Sequence, residues 1–404
     1  MADVYQQVQD YIEAHRGEML AMWKDFVDTP SQARDRDAAM KMADKLVTIF
    51  RDMGMRVAEH DVGPVNSRIL EAFWGEDRPG KPVMFGGHYD TVNCSYVENA
   101  QPGAENEFDG TPHFRVDSQG NAHGLGCLDM KGGIVVAIWT VKALQAIGWS
   151  GRPVKFLLAG DEDKGHFGAD SPAMLTELAK DALCCFNMET GRVNNDICIG
   201  RKGGGEGEMS VVGVPAHAGN DFASGRNAVL EMAYKEIELS KLTNLELGTT
   251  VTPTVIKGGT VPNGIPEHCH IYFDVRYRRY QEAERVKKAI AQIAGKTYIE
   301  GTTTTYTYKE YQLPFDETPA GLALADFVAQ VSKERGLGDM GQINLGGGSD
   351  ACYFTIAGVP TICSMGVQGQ FNHSDKEYAI VESLYTRTKL MACAVLDIEK
   401  FANR

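Results

Sequence analysis

The chain has 404 residues, 43% hydrophobic and 23% charged, with a formal net charge of -14. Such a length exceeds what one hydrophobic core usually fills and points to two domains of ordinary globular composition. The acidic balance, unrelieved by any Lys/Arg run, excludes nucleic acid as a partner. No apolar run approaches the ~18–20 residues of a membrane span, and the N-terminus lacks the basic start and apolar core of a signal peptide.

Residues 3–27 and 35–53 carry helical periodicity; in the second, Ala38, Met42, Leu46, Ile49 and Phe50 line one face. Strand-like segments follow at Met55–His60, Arg68–Trp74 and Pro82–Phe85. The last leads into Gly86-Gly-His-Tyr-Asp90, where His88 and Asp90, two residues apart, share one face of a strand. A ligating imidazole usually gives its second N–H to a carboxylate, so the pair fits a ligand and its support. It also fits a strand end with two solvated polar residues. Residues 93–123 form a long polar connection, of a length more often functional than idle, and are expected to wall a substrate cleft. The stretch ends in Gly124-Leu-Gly-Cys-Leu-Asp-Met-Lys-Gly-Gly133, before an apolar helix at Ile134–Ile147. Val154–Ala159 reads as a buried strand ending in Gly160-Asp-Glu-Asp-Lys-Gly165, and Ala182–Met188 as another ending in Glu189. Three buried-looking strands thus finish in acidic or His/Asp clusters. Strands alternating with helices predict an open α/β sheet, which places ligands at its carboxyl edge.

The character changes near Gly204. Strand patterns at Glu206–Val212, Val251–Ile256, Cys269–Arg276 and Thr302–Tyr308 alternate with helices at Ser224–Leu242 and Gln281–Ile293. This β-α-β-β-α-β order resembles a ferredoxin-like unit. Beyond Pro314 the α/β character returns, with a helix at 319–335, Gly346-Gly-Gly-Ser-Asp350, a strand at Val359–Ser364 and a last helix from about 382 to 402. The expected organisation is a discontinuous catalytic domain, residues 1–204 and 314–404, with an α+β module inserted at 205–313. Nine cysteines, an odd count without metal-knuckle spacing, read as reduced thiols in a cytoplasmic protein. Cys127 lies inside a motif, but no histidine-containing activating motif accompanies it.

The candidate metal ligands, in chain order, are His88, Asp129, Asp163, Glu189 and His373. Two imidazoles and three carboxylates suit a pair of zinc-like ions sharing one carboxylate, with a position left open for water. Glu162, next to Asp163, would then take a proton from that water, which requires a carboxylate near the metals that does not bind them. Each residue also fits an ordinary role: Asp129 as a helix N-cap, Asp161-Glu-Asp163 as a solvated turn, Glu189 as a loop acid. Their joint placement at strand ends favours the site.

His88-Tyr-Asp90, Gly126-Cys-Leu-Asp-Met-Lys-Gly-Gly133, Asp161-Glu-Asp-Lys-Gly165, Ala216-His-Ala-Gly219 and Gly348-Ser-Asp350 resemble the ordered motif set of the M20 metallopeptidases, over about residues 80 to 375. That family includes glutamate carboxypeptidase, succinyl-diaminopimelate desuccinylase, acetylornithine deacetylase, aminoacylase and peptidase T. The resemblance implies that Asp129 bridges two divalent ions, zinc with cobalt or manganese as alternatives. His88 and Glu189 would complete one site, Asp163 and His373 the other. A metal-bound hydroxide would be the nucleophile, Glu162 the general acid/base, and Asp90 the partner of His88. The bond between Asp129 and Met130 would be cis. His217 would reach the neighbouring subunit's active site and steady the oxyanion, making the inserted module a dimerisation domain and the enzyme a homodimer. Asn263, Arg276, Gly348 and Ser349 resemble substrate-contacting positions; Arg276 fits equally an ion pair with Asp274. The family usually has two consecutive glutamates where this chain has Glu162-Asp163, so the shorter side chain must reach from closer in. The implied substrate is a small peptide or acyl-amino acid with a free carboxylate. A deacylase, or a silent metal-binding homologue, are the other readings.

Overall fold

The computed structural model describes residues 3–92 and 113–403. Most of the long polar connection, residues 93–112, and with it the expected cleft wall, lies outside the described residues. The chain divides into two compact units: Met1–Ile199 with Glu317–Asn344 and Ser349–Arg404, and Gly200–Asp316 with Leu345–Gly348.

The first unit opens with helices α1 (Val4–Ala14), α2 (Arg16–Val27) and α3 (Arg36–Asp52). The single helix expected over 3–27 is therefore two. His15 leaves helical geometry, and its backbone N–H, at 3.2 Å, and ring Nδ1, at 2.7 Å, both meet the Tyr11 carbonyl. Strands β1 (Arg56–His60), β2 (Ile69–Trp74), β3 (Val83–His88), β4 (Val154–Ala159) and β5 (Cys184–Asn187) join the short strand Thr361–Ile362 in one sheet, ordered β1-β2-β4-β3-β5 and then 361–362. The β1/β2 and β2/β4 pairs are antiparallel, and β3 runs parallel to both β4 and β5. This is a mixed open sheet flanked by helices, as expected for the α/β class. Strands β3, β4 and β5 are buried throughout, which is why their sequences are mostly apolar rather than alternating; the one buried lysine in β4, Lys155, pairs with Glu71 and Asp181 at 2.8 and 2.9 Å. Phe85 packs between Phe156 and Phe186, with ring centroids 5.5 and 5.9 Å away.

Helix α4 (Gly132–Ala146) is buried on nearly every side and runs through the core. A Cβ on Gly133 would fall on the Met188 carbonyl oxygen, so only glycine lets the start of α4 approach the end of β5. Helix α5 (Ser171–Ala179) follows β4. The strand expected over Val359–Ser364 shrinks to two residues. The final helix breaks at Asp397 into Val381–Leu396 and Ile398–Ala402; that carboxylate accepts the Tyr5 hydroxyl at 2.8 Å and Arg335 at 3.4 Å.

The second unit is a four-stranded antiparallel sheet of β6 (Gly203–Val212), β7 (Thr250–Gly258), β8 (His268–Tyr277) and β9 (Thr303–Gln312), ordered β7-β8-β6-β9. With helices α6 (Ala228–Ser240) and α7 (Tyr280–Gly295) this is the ferredoxin-like arrangement. Met209, Val211, Ile271, Phe273, Val275, Val286 and Ile290 form its separate core. Alternation along β8 then turns Asp274 and Arg276 away from that core.

Candidate metal centre

Parallel pairing aligns the carboxyl ends of β3, β4 and β5. His88 pairs with Ala159, and Gly86 with Asn187. The first residues beyond these ends therefore converge, which brings His88, the turn Glu162–Lys164 and Glu189 together. Asp129 joins them from the turn that starts α4.

Asp129 is central. Its Oδ1 lies 3.2 Å from His88 Nε2 and its Oδ2 3.0 Å from His373 Nε2. Glu189 Oε1 is 3.4 Å from His88 Nε2, and Asp163 Oδ1 is 3.2 Å from His373 Nε2. Two triads share Asp129, His88–Asp129–Glu189 and Asp129–Asp163–His373, and a further group is His88–Asp90–Asp163; within each the ligand atoms lie within 4.8 Å of one another. Asp163, short as it is, reaches the cluster. Glu162 Oε2 stands 3.8 Å from His88 Nε2 and belongs to neither triad. The Asp129–Met130 peptide bond is cis.

The electrostatics are those of crowded acids. Burial, with Glu189, Asp350 and Asp163 nearby and His88 opposing, raises Glu162 well above the usual carboxylate range. Burial and the neighbouring Asp129 and Asp90, opposed by His373 and His88, push Asp163 up to about 7. Hydrogen bonds to Asp129 and Asp163 push His373 up to about 11. Asp163 Oδ2 is buried and has no hydrogen-bond partner. Concentrated carboxylates, two imidazoles and an orphaned oxygen make a donor set that fits divalent cations of the zinc, cobalt and manganese kind.

Asp90, fully buried, does two things. Its carbonyl oxygen accepts from His88 Nδ1 at 3.1 Å, with the carboxylate Oδ1 at 3.4 Å, so a neutral His88 carries its proton there and turns the Nε2 lone pair to the site. Its two carboxylate oxygens accept the backbone N–H groups of Glu162 and Asp163 at 3.2 and 2.9 Å. Asp90 thus ties β3 to the turn after β4.

Other supports were not expected from the sequence. The Glu377 carboxylate accepts N–H groups from Gly126, Leu128 and Asp129 at 3.2, 2.8 and 3.1 Å, fixing the turn that presents Asp129. Asn372 Nδ2 donates to Asp129 Oδ2 at 2.7 Å. His166 joins Asp161 to Asp350. The available signal was adjacency: His166 follows the Asp161–Gly165 motif directly, and Asn372 precedes His373. Cys127 is buried, which drives its thiol pKa well up, so it is no nucleophile.

The remaining candidates lie in or beside the second unit. His217 is exposed on a two-residue ladder in which it pairs with Gly264. Its Nδ1 accepts the N–H groups of Gly219 and Asn220, both at 3.1 Å, which leaves Nε2 as an outward donor. Asn263 stands next to Gly264 at the end of the same ladder, its carbonyl accepting from Ala218 at 3.0 Å. Arg276 pairs with Asp274 at 3.1 Å. The Gly348 carbonyl accepts from Arg201 at 3.0 Å. Ser349, in the first unit, is buried, with its hydroxyl accepting from Asn187 Nδ2 at 2.8 Å.

Paired His/carboxylate triads at the carboxyl edge of a mixed sheet make a centre suited to metal-dependent hydrolysis. Residues 84–397 match the sequence profile of peptidase family M20/M25/M40, and the chain belongs to that family. It is 27% identical over 366 residues to carboxypeptidase G2 of Pseudomonas sp. (strain RS-16), which covers 90% of this chain and 82% of that protein. It is 25% identical over 383 residues to succinyl-diaminopimelate desuccinylase of Anaplasma marginale (strain Florida), covering 89% and 92%. In fold it is similar to the aminopeptidase PepT from Bacillus cereus, with a TM-score of 0.74 at 18% identity over 95% of this chain and 99% of that one. The protein is a metal-dependent hydrolase of the metallopeptidase and amidohydrolase kind.

Proposed function

We propose that the protein hydrolyses the peptide or amide bond of a small substrate with a free carboxylate, a dipeptide or a C-terminal residue, using two divalent ions. The observation that carries this reading is the sharing of Asp129 between two triads, with Glu162 beside them and outside both. His88, Asp129 and Glu189 would hold one ion; Asp129, Asp163 and His373 the other. Ions so held supply Lewis acidity toward the scissile carbonyl and acidify the attacking water. Glu162 takes the proton from that water and returns it to the leaving nitrogen. Asp90 keeps Glu162 and Asp163 in register through their backbone N–H groups.

His217 is assigned as the oxyanion donor of the partner subunit's site. Its support is the tautomer set by Gly219 and Asn220, which directs Nε2–H outward. Leu230, Tyr234 and Ile237 on α6, with Ile256 on β7, are apolar side chains 43–54% exposed, the first three at helical spacing. Such a stripe supports a homodimer formed through the second unit. Asn263, Arg276 and the Gly348–Ser349 backbone are assigned to the substrate, Arg276 to its carboxylate. Eight free, buried cysteines among the described residues support a cytoplasmic location, and no described helix is long and apolar enough to cross a membrane.

The similarity to a desuccinylase favours a second reading, an N-acyl amino acid deacylase. A panel of dipeptides and N-acyl amino acids, assayed with zinc, cobalt or manganese and again with chelator, decides. Metal-dependent release from dipeptides supports the first reading, and release confined to acyl amino acids the second. No hydrolysis under any metal leaves a silent metal-binding homologue.

A further inference from the structure

The turn that carries Glu162 and Asp163 is held on one side by Asp90. On its other side lies a hydrogen-bonded chain outside both triads. Ser171 Oγ donates to Asp161 Oδ2 at 2.7 Å; Asp161 Oδ1 is 2.9 Å from His166 Nδ1; His166 Nε2 is 2.7 Å from Asp350 Oδ1. All four residues are at least nine-tenths buried. The His166 backbone N–H also donates to the Asp161 carbonyl at 3.0 Å, so residues 161 and 166 are joined by backbone and side chain alike, closing a loop around Glu162 and Asp163. His166 takes a left-handed backbone, φ 55°, rarely adopted by a residue with a side chain, and its ring meets Tyr353 edge-on with centroids 5.5 Å apart. Beyond Asp350, Ser349 bonds to Asn187, two residues before Glu189.

We propose that His166 is a positioning residue: by bridging Asp161 and Asp350 it fixes the turn that sets Glu162 and Asp163 against the other ligands. Both ring nitrogens face carboxylates, so each bond is charge-assisted and directional. No residue with a single polar end can span the two. Burial opposes the charge, but Asp350 and Asp161 outweigh it and keep the imidazole's pKa well above its ordinary value.

The proposal rests on the metal-centre reading, and its test has an arm independent of turnover. His166→Phe keeps a ring and removes both bonds; His166→Gln keeps one donor. Each is stripped of metal, titrated with Co2+ and assayed on the best substrate of the panel, with values scaled to the folded fraction from circular dichroism. The expected result is a Kd for Co2+ raised about tenfold or more in His166→Phe and less in His166→Gln, since partners of ligands typically carry 10–100-fold in affinity or activity. kcat should fall in the same order with KM within about twofold, as for a group acting on the reacting geometry. A melting temperature that falls while Kd and kcat stay within about twofold of the parent overturns the proposal. If His166→Phe does not fold, His166→Gln and Asp350→Asn decide by the same criteria. If the parent hydrolyses nothing, the functional reading fails alone and the Co2+ titration still judges His166.

Discussion

Glu377 shows how much of the centre depends on groups that never face it. Its carboxylate receives three backbone N–H groups from the turn that presents Asp129, and it is almost fully buried. Glu377→Ala strands those donors in the interior, at ~1–3 kcal/mol for each unsatisfied group. Urea denaturation should therefore show a loss of roughly 3–9 kcal/mol; a loss below ~1 kcal/mol would mean that water or another group takes the bonds. The ligand candidates themselves were legible because three of them follow apolar strands, and a pair of ions would need their residue types together. Glu377 was not, because its partners lie 248–251 residues away in sequence, and the bridge made by His166 was not, because Asp350, the second of its two carboxylates, lies 184 residues away. Arg276 illustrates the remaining ambiguity of sequence. Its spacing from Asp274 allowed an ion pair, and the structure contains that pair.

At the scale of elements, the site exists because β3, β4 and β5 run parallel, β3 and β4 stopping in register and β5 two residues short of them, and because Gly133 lets α4 start against Met188. The long apolar strands and the ferredoxin-like order were readable from periodicity. The two-residue strand Thr361–Ile362 was not, since a longer apolar run surrounds it and only pairing with β5 sets its ends. Nor were the breaks at His15 and Asp397, whose side chains bond to Tyr11 and Tyr5 while their own N–H groups keep the helical bond. The stripe Leu230–Tyr234–Ile237 on α6 carries its own prediction, because residues at i, i+4 and i+7 share a face. Tyr234→Asp combined with Ile237→Asp places two charges in the proposed interface and should shift sedimentation from dimer to monomer, with activity lost as His217 is withdrawn. A dimer that persists would move the interface elsewhere.

Taken whole, the protein keeps every proposed ligand and the base in one unit, assembled from chain segments before and after the second unit. The net charge of -14 is not spread evenly in effect: its most costly portion is the set of buried carboxylates that divalent ions would compensate. Composition argued against nucleic acid, and motif order offered the ligand candidates, but neither could supply the substrate, which depends on the shape of a pocket. The central claim is that Glu162 moves the proton without holding the metal. Glu162→Gln, purified with zinc and measured for both metal content and turnover, tests it directly. The account predicts parental metal content with kcat down roughly 100- to 10,000-fold, the range ascribed to general acid–base groups. Near-parental turnover, or a loss of metal in step with the loss of activity, would contradict it.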